Sequence, residues 1–141
     1  MRNRNGSFIL DMVIFGGVVT MIIVTAIAFN ITSISRLMNE SAAYIDFTSK
    51  YLVFDALVAR DLSRGPGNVS VEDGCFVING SRYEYGDSEI VRYFEGNGTV
   101  FELDDIAVEL EQQNQHTFLK VWIKHKSHEF ERKYLIHPHA G

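Results

Sequence analysis

Residues 7–31 read SFILDMVIFGGVVTMIIVTAIAFNI, and the reading of this stretch decides the architecture. Between Met12 and Ser35 there is no Asp, Glu, Lys or Arg. A helix of this length reaches roughly 35 Å at about 1.5 Å per residue, enough to cross a hydrocarbon layer of about 30 Å. Secretory signal peptides carry shorter apolar cores, of about 7–15 residues, followed by a small-residue cleavage site. No such site follows this stretch, so a retained membrane helix is expected. Arg2 and Arg4 precede it, which favours a cytoplasmic N-terminus and an outer C-terminal part. Arg36, just beyond it, pulls weakly the other way.

The rest of the chain differs in kind. All 141 residues carry a net charge of −5, and most of the charged residues follow the apolar stretch. An extended nucleic-acid surface is therefore not indicated. The single cysteine, Cys75, excludes an internal disulfide and a multi-cysteine metal site, and reads as a small buried hydrophobe in a strand.

Asp11 is out of place within the apolar run. A carboxylate deep in a bilayer costs about 2.5–3.5 kcal/mol on insertion scales, so it needs either the headgroup region or a cationic partner. Met1-Arg2-Asn3-Arg4-Asn5-Gly6 in front of Ser7-Phe8-Ile9-Leu10-Asp11 resembles the processing site of type IV pilins and pseudopilins. In that family a membrane peptidase cuts after the glycine, the new N-terminus is methylated, and an acid stands fifth in the mature chain. The resemblance implies cleavage between Gly6 and Ser7, with Asp11 as the fifth residue. It further implies that Asp11 pairs with a neighbouring subunit's terminal amine during assembly. The family usually places Glu there and an aromatic or aliphatic residue first. Asp11 and Ser7 therefore fit a minor member better than an abundant one.

Past the bilayer the helical period continues, with no proline before Pro66. Ile34, Leu37, Met38, Ser41, Tyr44 and Ile45 form one stripe; Phe47, Tyr51, Phe54, Val58 and Leu62 form another that suits packing on a domain. Arg60 to Gly67, with Arg in the last turn and Gly and Pro after it, predicts the stop. Gly16-Gly17 is the expected weak point, and a break near Asn30 is the alternative to one continuous helix.

From Gly67 the period becomes two. Strands are expected at 75–78, 81–85, 89–94, 99–102, 106–110, 117–125 and 130–136, with turns at Asn79-Gly80, Asn97-Gly98 and Lys126-Ser127. The predicted fold is α+β, a long N-terminal helix packed on a small antiparallel β-meander. Its segments are a basic leader (1–6), a membrane or filament-core helix (7–33), an amphipathic continuation (34–65) and an outer β domain (66–141).

Asn-x-Ser/Thr occurs at Asn5, Asn30, Asn39, Asn68, Asn79 and Asn97, more often than composition explains. Asn39, Asn68, Asn79 and Asn97 are the candidate glycosylation sites of an outer domain. His116, His125, His128, His137 and His139 match no metal-ligand spacing and are expected to be solvated, as are Asp104 and Asp105. Tyr83, Tyr85, Tyr93 and Phe94 read as sheet packing. No nucleophile or phosphate-binding motif stands out, so neither an enzyme nor a cofactor is expected.

The resemblance thus implies a structural subunit of a type IV pilus-like filament, or of a related secretion or uptake machine. Its partners would be other pilin-like subunits, a prepilin peptidase, a membrane assembly platform and the lipid bilayer. The alternative is a non-polymerising single-pass membrane protein whose outer β-rich domain binds a partner, as an envelope or stator component or a glycoprotein.

Overall fold

A computed structural model of the chain describes residues 4–125 and 128–137; residues 1–3 of the leader, the Lys126-Ser127 turn, Pro138 and His139 lie outside the described residues. Among the described residues the class is α+β, with one helix, α1 (Arg4–Ser63), followed by eight strands. The chain divides into two compact units, Met1–Tyr44 and Ile45–Gly141.

In the first unit α1 runs through Gly16-Gly17 and Asn30 without a break. Its side chains from Ser7 on are exposed almost throughout, Phe15 and Phe29 at 72%. The second unit begins within α1. Here Phe47, Tyr51, Phe54 and Val58 are buried, so this stripe supplies the helical side of the core. The spacing of three and four residues keeps them on one face.

The strands are β1 (Val69–Glu72), β2 (Cys75–Ile78), β3 (Ser81–Tyr85), β4 (Ile90–Phe94), β5 (Asn97–Phe101), β6 (Ile106–Gln113), β7 (His116–His125) and β8 (His128–Ile136). They form two antiparallel sheets and not one meander: β1-β2-β3-β4-β5 (sheet A) and β6-β7-β8 (sheet B). Leu103 to Asp105 make the crossover. Asp105 has φ 42°, Leu103 is buried, and the N–H of Lys124 donates to the Asp105 carbonyl at 3.2 Å. The bend separates β5 from β6 and ends the single ladder.

Two further differences concern sheet A. A strand not expected from the sequence, β1, pairs with β2 from Val69↔Ile78 to Glu72↔Cys75. Four residues of alternating burial are too short to show a clear period. The turn between β4 and β5 is Glu95-Gly96, with φ 50° and 81°, and Asn97 already pairs with Phe94. Either Glu-Gly or Asn-Gly satisfies a tight turn locally. The observed register sets Phe101 opposite Ile90, both buried.

The core of the second unit joins Phe47, Tyr51, Phe54 and Val58 of α1 to Phe76, Ile78, Tyr83, Ile90 and Phe101 of sheet A and to Leu119, Val121, Ile123, Tyr134 and Ile136 of sheet B. Cys75 is buried in β2 as a free thiol.

Candidate assembly site

The residues singled out for assembly all lie on the first unit's helix. Gly6 and Ser7 are helical, and Ser7 and Asp11 are exposed. Phe8 (66% exposed) and Phe15 stand one turn before and one turn after Asp11, and Met12 follows it directly, all exposed. Among described residues Asp11 makes no ion pair within its own chain. A helix apolar on every side, as this one is from Phe8 to Ile31, suits a lipid or helix-bundle surround and not water.

Three of the hydroxyls on this helix bond back to its own backbone. The hydroxyls of Thr20, Thr25 and Thr32 donate to the carbonyls of Gly16, Met21 and Ala28 at 2.8, 2.8 and 2.9 Å. Among the described residues Asp11 is the one acidic or basic side chain between Ser7 and Ser35. Gly16 and Gly17 form a step without side chains, and a Cβ added at either would meet no atom within 4 Å. The helix between residues 7 and 63 contains a window of mean hydropathy 2.5, long and apolar enough to cross a membrane.

The second unit holds charged groups of a different kind. Asp61, on the same face as Phe54 and Val58, is 1% exposed. Its Oδ2 accepts from Tyr83 Oη at 2.5 Å and from Arg92 Nε at 2.7 Å, and its Oδ1 accepts from Arg92 Nη2 at 2.8 Å. Arg92 also donates to Ser81 Oγ at 3.2 Å. Burial alone would push the Asp61 carboxyl up, but hydrogen bonds from Arg92 first, then from Tyr83 and Ser81, hold it below the ordinary carboxylate range. The same burial, with the Asp61 carboxylate beside it, raises the Tyr83 phenol.

A second group ties α1 to sheet B. Asp55 accepts from Tyr134 Oη and pairs with Arg132 Nε at 3.2 Å. Burial and then Asp55 raise the Tyr134 phenol. Neither network was expected from the sequence. A signal was present: Asp61 falls three residues after Val58 on an apolar stripe, and Arg92 alternates between Ile90 and Phe94 on the inward side of β4.

His125 corrects the expectation of solvated histidines. Its ring stacks on Phe47 at 4.8 Å, and its Nδ1 lies 2.6 Å from Asp104 Oδ2, so Asp104 too has a specific partner. Tyr83 stacks on Phe76 at 4.6 Å, as sheet packing requires, but its hydroxyl belongs to the buried network. Among the described residues no three His, Cys, Asp or Glu side chains meet in a group that would hold a metal ion.

The sequons separate by environment. Asn39, Asn68 and Asn97 are exposed. Asn79 instead caps α1: its Nδ2 donates to the carbonyls of Asp61 at 2.8 Å and Leu62 at 3.4 Å, and its Oδ1 accepts from the N–H of Asn68 at 3.0 Å. Ser81 of the same sequon is buried. A glycan on Nδ2 would displace these bonds, so the folded domain disfavours modification at Asn79. Asn39, Asn68 and Asn97 present no such obstacle. No family model, no curated protein and no solved structure matches this chain.

Proposed function

We propose that the chain is a subunit, of the minor kind, of a type IV pilus-like filament or a related secretion or uptake machine. Its helix would first anchor it in the membrane with the N-terminus cytoplasmic. A prepilin peptidase would cut between Gly6 and Ser7, and a membrane platform would then move the helix into a bundle of like helices. The work is assembly, not catalysis.

One observation carries this reading: Asp11 stands exposed on a helix that is otherwise apolar all round, five positions past Gly6 counting Ser7 as the first. In lipid an unpaired carboxylate is unfavourable by up to about 2.5–3.5 kcal/mol. A neighbour's new α-amine, with a reference pKa near 7.7–8.0, is mostly cationic at neutral pH and offsets that penalty on association. The same pairing would fix the axial register between subunits. The exposed apolar surface from Phe8 to Ile31 supports helix–helix packing.

Intact-mass and N-terminal analysis of the protein from its own cell surface tests the proposal. The expected N-terminus is methylated Ser7, and Asp11→Ala should abolish incorporation while leaving the melt of the outer domain unchanged. A working fibre that retains Met1 to Gly6, or that incorporates the Asp11→Ala chain normally, would overturn it. An intact monomer retaining Met1 would instead indicate a permanent membrane anchor for a partner-binding domain.

A further inference from the structure

α1 carries a repeat of period seven that the fold leaves unused. With Ile14 as position a of a heptad lettered a to g, the a positions are Ile14, Met21, Ala28, Ser35, Ala42, Ser49, Ala56 and Ser63. The d positions are Gly17, Val24, Ile31, Met38, Ile45, Leu52 and Ala59. The charged residues between Met12 and Ser63 are Arg36, Glu40, Asp46, Lys50, Asp55, Arg60 and Asp61, and all of them fall at b, e, f or g. A seam that stays free of charge at a and d over successive heptads marks a helix that pairs with another helix of the same repeat.

In the second unit the core takes the other side of the helix. Phe47, Phe54 and Asp61 stand at f, and Tyr51 and Val58 at c, all buried. Ile45, Ser49, Leu52, Ala56, Ala59 and Ser63, at a and d, are exposed, Ile45 at 67% and Leu52 at 58%. A helix lying on a domain ordinarily turns charged and polar residues outward. Here the outward side alternates apolar d residues with alanine and serine at a, and neither sheet covers it.

The apolar span names the occupant. A helix long and apolar enough to cross a membrane sets every copy of the chain in the bilayer the same way round and at the same depth. A second copy therefore presents the same a and d residues at the same height, parallel and in register. Parallel pairing sets each g residue beside the e residue five places further along the partner helix. In that register Ser41 meets Asp46, Thr48 meets Val53 and Asp55 meets Arg60, so no flanking pair joins like charges. Among the described residues Arg60 makes no ion pair in its own chain, and Asp55 gives Oδ1 to both Tyr134 and Arg132, which leaves Oδ2 for the partner's guanidinium.

We infer that two copies of this chain pair along residues 45–63 of α1 as a parallel, in-register coiled coil. Leu52 meets Leu52 and Ile45 meets Ile45 across the seam, while the sheets of each copy stay on the far side of its helix. The contact is isologous and closes at two copies. A repeat this short is marginal between free helices, and anchorage in one bilayer supplies the effective concentration it needs. The pairing does not require the leader to be cut, so it stands apart from the filament reading.

Oxidation of single-cysteine forms of the uncut full chain tests it, in dilute phosphatidylcholine vesicles and with Cys75→Ala throughout. Ile45→Cys and Leu52→Cys should each give a covalent dimer at least tenfold above Glu40→Cys, an exposed f position. Mixing the first two should add almost no product that joins position 45 to position 52. Leu52→Lys added to Ile45→Cys should abolish the dimer while its melt matches the parent, since residue 52 lies outside the core. A 45-to-52 product in excess of the like pairs would overturn the in-register arrangement. Equal yields from seam and control positions, in variants whose melts match the parent, would overturn the pairing. So would Leu52→Cys joining only a different chain when the same oxidation is carried out in the cell's own membrane.

Discussion

Asp61 occupies a position that the helix otherwise gives to phenylalanine and valine. Its two oxygens are fully engaged by Arg92 and Tyr83, so the charge is buried but compensated. Removing one member leaves the other unpaired in the core, which costs about 3–5 kcal/mol. Asp61→Ala should lower the unfolding free energy by that amount in urea titrations. The double variant Asp61→Leu, Arg92→Met should recover most of the loss, since two well-packed apolar residues leave no orphan charge. The pH dependence follows from the same groups. The Asp61 carboxyl is depressed in the folded state, so its contribution is complete above the unfolded value near 3.9 and is lost as pH falls below it. Tyr83 and Tyr134 are raised, so their contribution is complete below the unfolded value near 10 and is lost as pH climbs past it. Thermal melts of the second unit should therefore be flat between these limits and fall on both sides. An Asp61→Leu, Arg92→Met background should weaken the acid limb. The sequence showed Asp61 and Arg92 as charges in apolar patterns, but their meeting depends on the packing of α1 against sheet A, which no local spacing specifies.

At the level of elements, the end of α1 and the β2–β3 hairpin are one construction. Asn79 takes a left-handed conformation, φ 47°, at the hairpin tip and uses its amide to cap Asp61 and Leu62. Asn79→Gly keeps the turn conformation and removes only the cap. It should cost about 1 kcal/mol by chemical denaturation, while Asn79→Ala should cost more because the same φ then strains the backbone. A glycan map should show no occupancy at Asn79, and Asn79→Gly should leave the glycoform pattern unchanged. The hairpin was legible because Asn-Gly between two extended runs has a local cause. The β4–β5 turn was displaced because two adjacent dipeptides suit a turn equally, and Phe101 and Leu103 settle the choice by entering the core. The crossover at Asp104-Asp105 was hidden for the same reason: its bend is held by partners distant in sequence, His125 and Lys124.

For the molecule as a whole, periodicity told more than any motif. The shift from the Ile34–Ile45 stripe to the Phe47–Leu62 stripe marks where α1 begins to bury a face, and Phe47, Tyr51, Phe54 and Val58 do enter the core. Phe54 is fully buried and meets both Tyr83 and Phe101 edge-on. Phe54→Ala should destabilise the second unit by about 3–5 kcal/mol in equilibrium unfolding. A fragment beginning at Gly67 lacks the helical side of that core and should fail to show a cooperative melt. The bare step at Gly16-Gly17 has a different use. Alanine is favoured over glycine by about 0.8–1.0 kcal/mol within a helix, and nothing in the chain itself obstructs a methyl group at either position. Gly17→Ala thus leaves the isolated chain intact or firmer. If the helix enters the proposed bundle, any shortfall in incorporation of such a variant registers the thickness of a neighbour's backbone at that depth, and so measures crowding free of any folding defect.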